Sequence, residues 1–104
     1  MNLVIVSGNI AADCTYLNDE HTVLSIPFAI ENTVKKEDGS YGTEPSYVRF
    51  TVFGKFAQAL DWLKVGLGCN IRAHIKVNSY EKDGEKKYTT DYIVDELECT
   101  TPKK

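Results

Sequence analysis

A period-two alternation runs through "YVRFTVFGK", residues 47–55, and limits this stretch to a β-strand with two unlike faces. One face holds three apolar residues suited to a core, Val48, Phe50 and Val52. The opposite face carries two rings and a guanidinium, from Tyr47, Arg49 and Phe53. A strand face that is merely solvated has no need of rings, so this face is the first candidate for a binding surface.

The same alternation divides the rest of the chain. It predicts five strands, at residues 2–10, 22–31, 47–55, 69–77 and 88–98. After the third strand, apolar residues recur at helical spacing and predict one short helix that stops at Gly66, from Phe56, Ala59, Leu60 and Leu63. Trp62 lies in this helix and is expected to pack on the body of the fold or at its rim rather than to stack on a ligand.

Turn-forming residues mark the connections. Residues 32–46 are polar and aperiodic, and they predict either a long loop or a flexible hairpin arm. Pro27 cannot donate a ladder hydrogen bond, which favours an edge or a bulge for the second strand. Gly8 in "SGN" predicts a bend or bulge. "YEKDGEKKY" predicts a charged hairpin tip around Asp83 and Gly84.

The order of three strands, a helix and two strands fits an all-β fold, the five-stranded Greek-key OB barrel, with its short helix between strands 3 and 4. A chain of 104 residues supports one core, so we expect one domain over residues 1–99 and a short basic tail over 100–104. The chain has no apolar run near the roughly 20 residues of a membrane span and begins without a signal-peptide pattern. It is therefore expected to be cytoplasmic and free of membrane contacts.

Charge is distributed unevenly along the sequence. The formal net charge of −3 argues against holding nucleic acid by bulk positive charge. The cations nevertheless lie in or beside the predicted loops and the aromatic strand, at Lys35, Lys36, Arg49, Lys55, Lys82, Lys86 and Lys87. One surface can thus be cationic although the net charge of the chain is negative.

The aromatic face suits unpaired bases. Tyr47, Arg49 and Phe53 are two and four residues apart, which spaces them by roughly 7 and 14 Å along a strand. Any base can stack on an aromatic ring, and each stacked base contributes about 1–3 kcal/mol to binding, while Arg and Lys contact the phosphates. The alternative is that these rings pack beneath a loop or against a second subunit.

Two further features give weaker hints of an anion-binding surface. Lys55 opens the predicted helix, where a cation opposes the helix dipole unless an anion visits, although an exposed lysine can also simply bend away. The hairpin tip brackets a basic turn with aromatic residues, as a nucleic-acid finger would, or is only a solvated turn; its candidates are Tyr80, Lys82, Lys86, Lys87 and Tyr88.

Catalytic and metal-binding patterns are not found in the sequence. His21 and His74 stand alone, and Ser7 lacks the setting of a nucleophile elbow. The three cysteines are widely spaced without a CxxC pair, which favours buried or incidental thiols; they are Cys14, Cys69 and Cys99. We therefore expect a binding protein without cofactor or metal rather than an enzyme.

Three motifs in register, "NLVIVSGNI", "FGK" followed by a helix, and "YEKDGEKKYTT", resemble the bacterial and phage single-stranded DNA-binding proteins. The resemblance covers nearly the whole chain. It implies an OB fold, usually a homotetramer, that wraps single-stranded DNA in replication, recombination and repair. By position, Tyr47 and Tyr80 fall where that family often has base-stacking tryptophans, and Phe53 falls on its stacking phenylalanine.

The chain also departs from that family's pattern. Val34 lies near a position where a stacking tryptophan is usual, so that stacking site is not expected here. Val48 stands where a histidine involved in assembly is frequent and Asn70 where an aromatic residue is frequent, which leaves dimer and tetramer both open. The first strand is the candidate assembly edge. Full-length bacterial members continue into an acidic tip that recruits repair enzymes, whereas this sequence ends in the basic "CTTPKK", so recruitment by that route is not expected. A phage or mobile-element version, or a truncated chain, would explain this ending.

Two other functions remain open from the sequence. An OB accessory module, of primosome or RNA-binding type, would keep the aromatic face but prefer structured or ribose-containing ligands. An OB subunit used only for protein assembly would bury Tyr47 and Phe53 in an interface.

Overall fold

A computed structural model describes residues 1–99. The strands are β1 (Val4–Ile10), β2 (Thr15–Tyr16), β3 (Val23–Lys35), β4 (Tyr41–Phe53), β5 (Gly68–Lys82) and β6 (Glu85–Cys99), with helix α1 (Lys55–Gln58) between β4 and β5. The predicted tail, residues 100–104, lies outside the described residues.

The five long strands close into a barrel. The strand order is β1-β5-β6-β4-β3-β2, and an additional pairing of β1 with β3 closes the sheet. All ladders are antiparallel except that of β4 with β6, which pairs Phe50 with Tyr92 and Thr51 with Ile93 in parallel. The predicted OB barrel is confirmed, and its helix follows the third long strand as expected, since the two-residue β2 is the one added strand.

The barrel interior is built from alternate residues of these strands. Phe28 of β3 and Phe50 of β4 meet edge to face, with ring centroids 5.7 Å apart. Around them lie other residues with almost no solvent exposure, among them Ile10, Leu24, Ile26, Val52 and Ile71. Burial of each large apolar side chain stabilises the fold by about 1.5–3 kcal/mol, so this face of β4 is committed to the core.

Gly8 is needed for barrel closure, not for a bend. It lies in regular ladders on both edges of β1, opposite Ile30 of β3 and Cys69 of β5. A Cβ atom at this position would lie 1.9 Å from the carbonyl oxygen of Ala29. The predicted bend or bulge is therefore wrong, because glycine here allows the backbones of β1 and β3 to approach each other.

Pro27 lies inside the sheet at a regular position of the β3–β4 ladder, so the prediction of an edge or a bulge is wrong. β3 pairs with β4 along its whole length, with Pro27 opposite Arg49. On its other side, the ladder with β1 ends at Phe28 and the ladder with β2 begins at Ser25. The proline thus falls between two ladders, at a place where a missing N–H costs little.

The predicted helix is much shorter than expected. α1 ends at Gln58, and the backbone N–H groups of Ala59, Leu60 and Leu63 donate to carbonyl oxygens three residues earlier, at 3.1, 3.2 and 3.2 Å. The buried residues recur every three positions, at Ala57, Leu60 and Leu63. A series of tight turns with 3₁₀-type bonds therefore replaces the predicted longer α-helix. Leu60 and Leu63 are buried as predicted, whereas Phe56 and Ala59 are exposed.

Two hairpin arms extend from the barrel. Residues 32–46 form the first arm, in which β3 and β4 stay paired until Lys35 meets Tyr41, so the hairpin alternative of the sequence prediction holds and the loop alternative does not. The second arm is the β5–β6 hairpin, which turns through Asp83 and Gly84, both at positive φ (54° and 79°). Such a two-residue turn matches the twist of the strands and fixes their register.

The helical part of residues 1–99 has neither the length nor the apolar character that crossing a bilayer requires.

Candidate nucleic-acid interface

The outer face of β4 carries the aromatic residues that the alternation predicted. Tyr47 is 73% exposed and Phe53 is 52% exposed. Between them lies Arg49, which is also exposed. On the neighbouring strand β3, small residues lie opposite two of these side chains: Ala29 opposite Tyr47, and Pro27 opposite Arg49. No side chain of β3 therefore covers the ring of Tyr47.

A buried hydroxyl holds Arg49 in place. The guanidinium Nη1 donates to Oγ of Ser25 at 2.8 Å. Ser25 is only 1% exposed, although its side chain belongs to the outer face, opposite Thr51. Because one N–H of the guanidinium is anchored to the sheet, the remaining donors lie between the two rings and are free to contact a phosphate.

A shallow depression adjoins this platform. Its volume is about 180 Å³, and Ala11, Pro27, Tyr47 and Arg49 contribute to its wall. A flat aromatic ring beside a small concave surface and a fixed cation is an arrangement that a base and its phosphate can occupy together.

The two tyrosines of the β5–β6 arm lie on opposite faces of it. Tyr80 pairs with Lys87, whereas Tyr88 pairs with Ser79. Directly opposed residues share a face, and adjacent positions alternate, so Tyr80 and Lys87 lie on one side and Tyr88 on the other. The hairpin tip therefore does not present both rings to a single ligand track.

The cations of this arm divide between the two faces in the same way. Lys82, opposite Glu85, lies on the face of Tyr80 and Lys87 and helps to form a depression of about 430 Å³ at the tip. Lys86 lies on the other face, with Nζ 5.8 Å from the ring centroid of Tyr88. Lys87 makes a long contact of 3.8 Å to Glu85, which leaves most of its donor capacity free.

The outer face of β4 continues onto the face that carries Tyr80. Thr51 pairs with Ile93 of β6, and Ile93 pairs with His74 of β5, so these three residues lie on one side of the sheet. Tyr80 is six residues beyond His74 and keeps that side. Because β4 and β6 run parallel, the segments that precede their contact, and hence both arms, extend from the same end of the barrel.

The tip of the β3–β4 arm adds an aromatic residue that the sequence interpretation missed. Tyr41 is exposed and pairs with Lys35 on the same face as Tyr47, while Val34 and Gly42 face the other way. Tyr41, Thr43, Pro45 and Tyr47 are alternate residues of one strand, so both tyrosines lie on the same face. The segment was predicted to be aperiodic, and this spacing was therefore missed. Lys76 is a second missed residue, on the face of Tyr80 and opposite Asp91.

Two of the predicted cations are placed differently from the rest. The side chain of Lys36 lies over Gly42, because its Cε would be only 2.6 Å from a Cβ built there, and this puts it on the inner face of the arm. Lys55 is exposed at the start of α1. Since α1 has four residues, its dipole is too small to support the argument that Lys55 is out of place without an anion.

Other polar groups of the β5–β6 surface are engaged by the protein itself. Arg72 forms an ion pair with Glu96 at 2.9 Å, and Nδ1 of His74 lies 3.0 Å from Asp95. Asp95 is the extra residue of a bulge at which the β5–β6 register shifts. The unneutralised cations on the outer face are therefore concentrated on β4 and toward the arm tips.

Comparison with known proteins agrees with this architecture. Residues 1–100 match the single-strand binding protein family. A single-stranded DNA-binding protein of Wolinella succinogenes is 29% identical over 98% of this chain and 65% of its own length. That of Staphylococcus epidermidis is 22% identical over 99% of this chain and 79% of its own length. The chain thus spans about two thirds to four fifths of these relatives.

Solved structures show the same fold. A deletion mutant of the single-stranded DNA binding protein from Thermus aquaticus superposes with a TM-score of 0.79 at 24% identity, covering 97% of this chain and 51% of that one. The Plasmodium falciparum SSB, solved in complex with ssDNA, gives a TM-score of 0.74 at 15% identity over 97% and 96% of the two chains. From the family match over residues 1–100, the chain belongs to the single-strand binding protein family.

Proposed function

We propose that this chain binds single-stranded DNA without sequence preference across the outer face of β4 and the two arms. The observation that carries the proposal is the pair of exposed rings, Tyr47 and Phe53, on either side of an anchored arginine. The opposite face of the same strand contributes Phe50 and Val52 to the core. Rings this exposed add little to the stability of the fold, and every unpaired base has a face that can stack on them.

The roles divide between rings and cations. Tyr47, Phe53 and Tyr80 stack bases, and Tyr41 extends the row of rings toward the tip of the first arm. Arg49 contacts a phosphate in the position that Ser25 sets. Lys35, Lys55, Lys82 and Lys87 supply further positive charge along the path, in keeping with the charge-assisted contacts that hold a single strand.

The DNA path runs along the outer face alone. Lys36, Lys86 and Tyr88 lie on the inner faces of the arms, so they contribute long-range charge rather than stacking. This division makes Tyr88 a matched control for Tyr80, because both are exposed tyrosines of one hairpin.

The proposed activity is non-enzymatic. Its use is the protection of single-stranded DNA in replication, recombination and repair, in the cytoplasm where bacterial or phage DNA is copied. Family membership supports this assignment, and the exposed rings support it independently of the family.

The protein is proposed to act as a homo-oligomer joined through β1. Along Val4–Ile10, one edge pairs with β5, while the ladder with β3 covers only Gly8, Asn9 and Ile10. The first half of β1 therefore offers a second edge for pairing, next to the exposed side chains of Leu3 and Ile5. A tetramer or a dimer would each lengthen the track that DNA can follow.

A length series of oligo-dT and oligo-rU, titrated while the mass in solution is measured, tests the proposal. We expect tight binding of oligo-dT that increases with length until the track is filled, weaker binding of oligo-rU, and a mass above that of a monomer. Preference for oligo-rU would favour the RNA-binding accessory module. An oligomer that binds neither ligand would favour the assembly subunit, with Tyr47 and Phe53 in its interface.

A further inference from the structure

The three cysteines, far apart in the sequence, converge at one end of the barrel. Cys69 is the second residue of β5 and Cys99 is the last of β6, and both pack in or against the hydrophobic core together with Cys14. All three are free thiols. Cys69 is 3% exposed, whereas Cys14 and Cys99 are partly exposed.

The sheet register brings two of these thiols face to face. Cys69 and Cys99 are directly opposed partners in the antiparallel β5–β6 ladder. Cα atoms of such partners are about 4.5–5.5 Å apart, within the roughly 4.4–6.8 Å that a disulfide spans, and their side chains point to the same side. The strand backbone thus already has the spacing that a Cys69–Cys99 bond needs.

The pKa values of the buried thiols are shifted by their surroundings and by one another. Burial raises the pKa of Cys69 far above its ordinary value, and a hydrogen bond with the Cys99 side chain raises it further. Burial also raises the pKa of Cys14, as do the charges of Asp13 and Cys99. The Sγ atom of Cys69 has an additional weak contact, 3.8 Å, with the carbonyl oxygen of Leu67.

We propose that Cys69 and Cys99 are a redox-active pair that closes to an intramolecular disulfide when the protein meets a hydroperoxide. Cys99, the more exposed of the two, reacts first, and Cys69 resolves the product. Cys14 stays a free thiol, because it belongs to the loop after β1 and has no strand register that sets its distance from Cys99.

The reaction balances with the hydroperoxide as the two-electron oxidant. The Cys99 thiol loses its proton, and the sulfur attacks one peroxide oxygen while the O–O bond breaks, which forms a sulfenic acid. The departing alkoxide takes up a proton and leaves as an alcohol, or as water when hydrogen peroxide is used. Sγ of Cys69 then attacks the Cys99 sulfur, the S–O bond breaks, and the departing hydroxide takes the Cys69 proton as water. Two thiols are oxidised to one disulfide while one peroxide is reduced.

The disulfide would stabilise the barrel without touching the proposed DNA path. Cys69 faces the interior, and Lys82 at the arm tip is about 40 Å further along β5. The bond would link the beginning of β5 to the end of β6. In the unfolded state it would restrict the whole chain segment between Cys69 and Cys99. Oxidation is therefore expected to raise the resistance to denaturant and to leave oligo-dT binding unchanged.

The test uses the purified, fully reduced chain, treated with hydrogen peroxide and then unfolded for thiol counting and non-reducing peptide mapping. The expected result is a fall from three thiols to one, a peptide that joins Cys69 to Cys99, and reversal by dithiothreitol. The Cys14→Ser control should still form the bond and fall from two thiols to none. Cys99→Ser should retain both remaining thiols.

Several results would overturn the proposal. They are three intact thiols after peroxide, a bond that includes Cys14, disulfide-linked dimers as the main product, or sulfinic acid at Cys99 without a crosslink. A higher denaturant midpoint of the oxidised chain that is absent in oxidised Cys99→Ser would support it. None of these readouts depends on DNA binding, so the disulfide proposal is tested independently of the proposed function.

Discussion

Replacement of Tyr47 by alanine separates the binding role of this ring from its role in the fold. With the residue 73% exposed, only about a quarter of its surface is buried in the free protein. For an aromatic residue of about 200 Å² this is roughly 50 Å², or about 1 kcal/mol of stability at 25 cal/mol per Å². The loss should lower the unfolding midpoint by no more than about 4–8 °C for a domain of this size.

The loss of binding should be larger. A stacked base contributes about 1–3 kcal/mol, which corresponds to a fall in affinity of roughly 5- to 150-fold at 1.4 kcal/mol per factor of ten. Anisotropy of labelled oligo-dT, recorded beside thermal unfolding of the same sample, measures both quantities. Tyr47→Phe keeps the ring and should bind within a few-fold of the unchanged protein.

Two outcomes would refute the reasoning about Tyr47. One is a folded Tyr47→Ala protein with unchanged affinity, which would mean that bases do not use this face. The other is a Tyr47→Phe protein as weak as Tyr47→Ala, which would assign the effect to the hydroxyl instead of to the ring.

Four further substitutions test the placement of residues. Tyr80→Ala should weaken oligo-dT binding by about 1–3 kcal/mol while Tyr88→Ala changes it little, and equal losses in the same titration would contradict the assignment of the path to one face. Gly8→Ala forces a Cβ onto the Ala29 carbonyl and should cost at least about 1–3 kcal/mol in a denaturant titration; an unaffected midpoint would show that β1 and β3 do not approach so closely. Trp62, at 51% exposure, should cost about 2 kcal/mol of stability when changed to alanine and leave DNA affinity intact, whereas complete quenching of its fluorescence by DNA would place it in the binding site.

The strands were predictable because burial on one face imposes a period of two. In β4 the inward residues Phe50 and Val52 are fully buried and the outward residues Tyr47 and Phe53 are exposed, as the alternation indicates. The separation of Tyr80 from Tyr88 could also have been predicted, since a two-residue Asp-Gly turn fixes which residues oppose each other.

Other features depend on tertiary contacts that a sequence pattern does not carry. Apolar residues that recur every three or four positions do not distinguish an α-helix from successive 3₁₀ turns. The predicted helix is therefore longer than α1. The need for Gly8 arises from the approach of β3. Cys69 and Cys99 oppose each other only because the β5–β6 register shifts between Arg72 and Ala73, and Cys14 joins them by packing against the same core. The rings of Tyr47 and Phe53 were identified from the sequence as candidates, and their role in DNA binding stays a prediction.

Whether the outer face of β4 and the arms binds unpaired bases is decided by a direct competition experiment. The chain is first saturated with labelled oligo-dT, and unlabelled oligo-dT or a blunt duplex of the same length is then added at moderate salt. We expect oligo-dT to displace the labelled strand at far lower concentration than the duplex does, because pairing hides the base faces that the rings need. Equal displacement by the two competitors would contradict it, since phosphate attraction alone would then explain the binding.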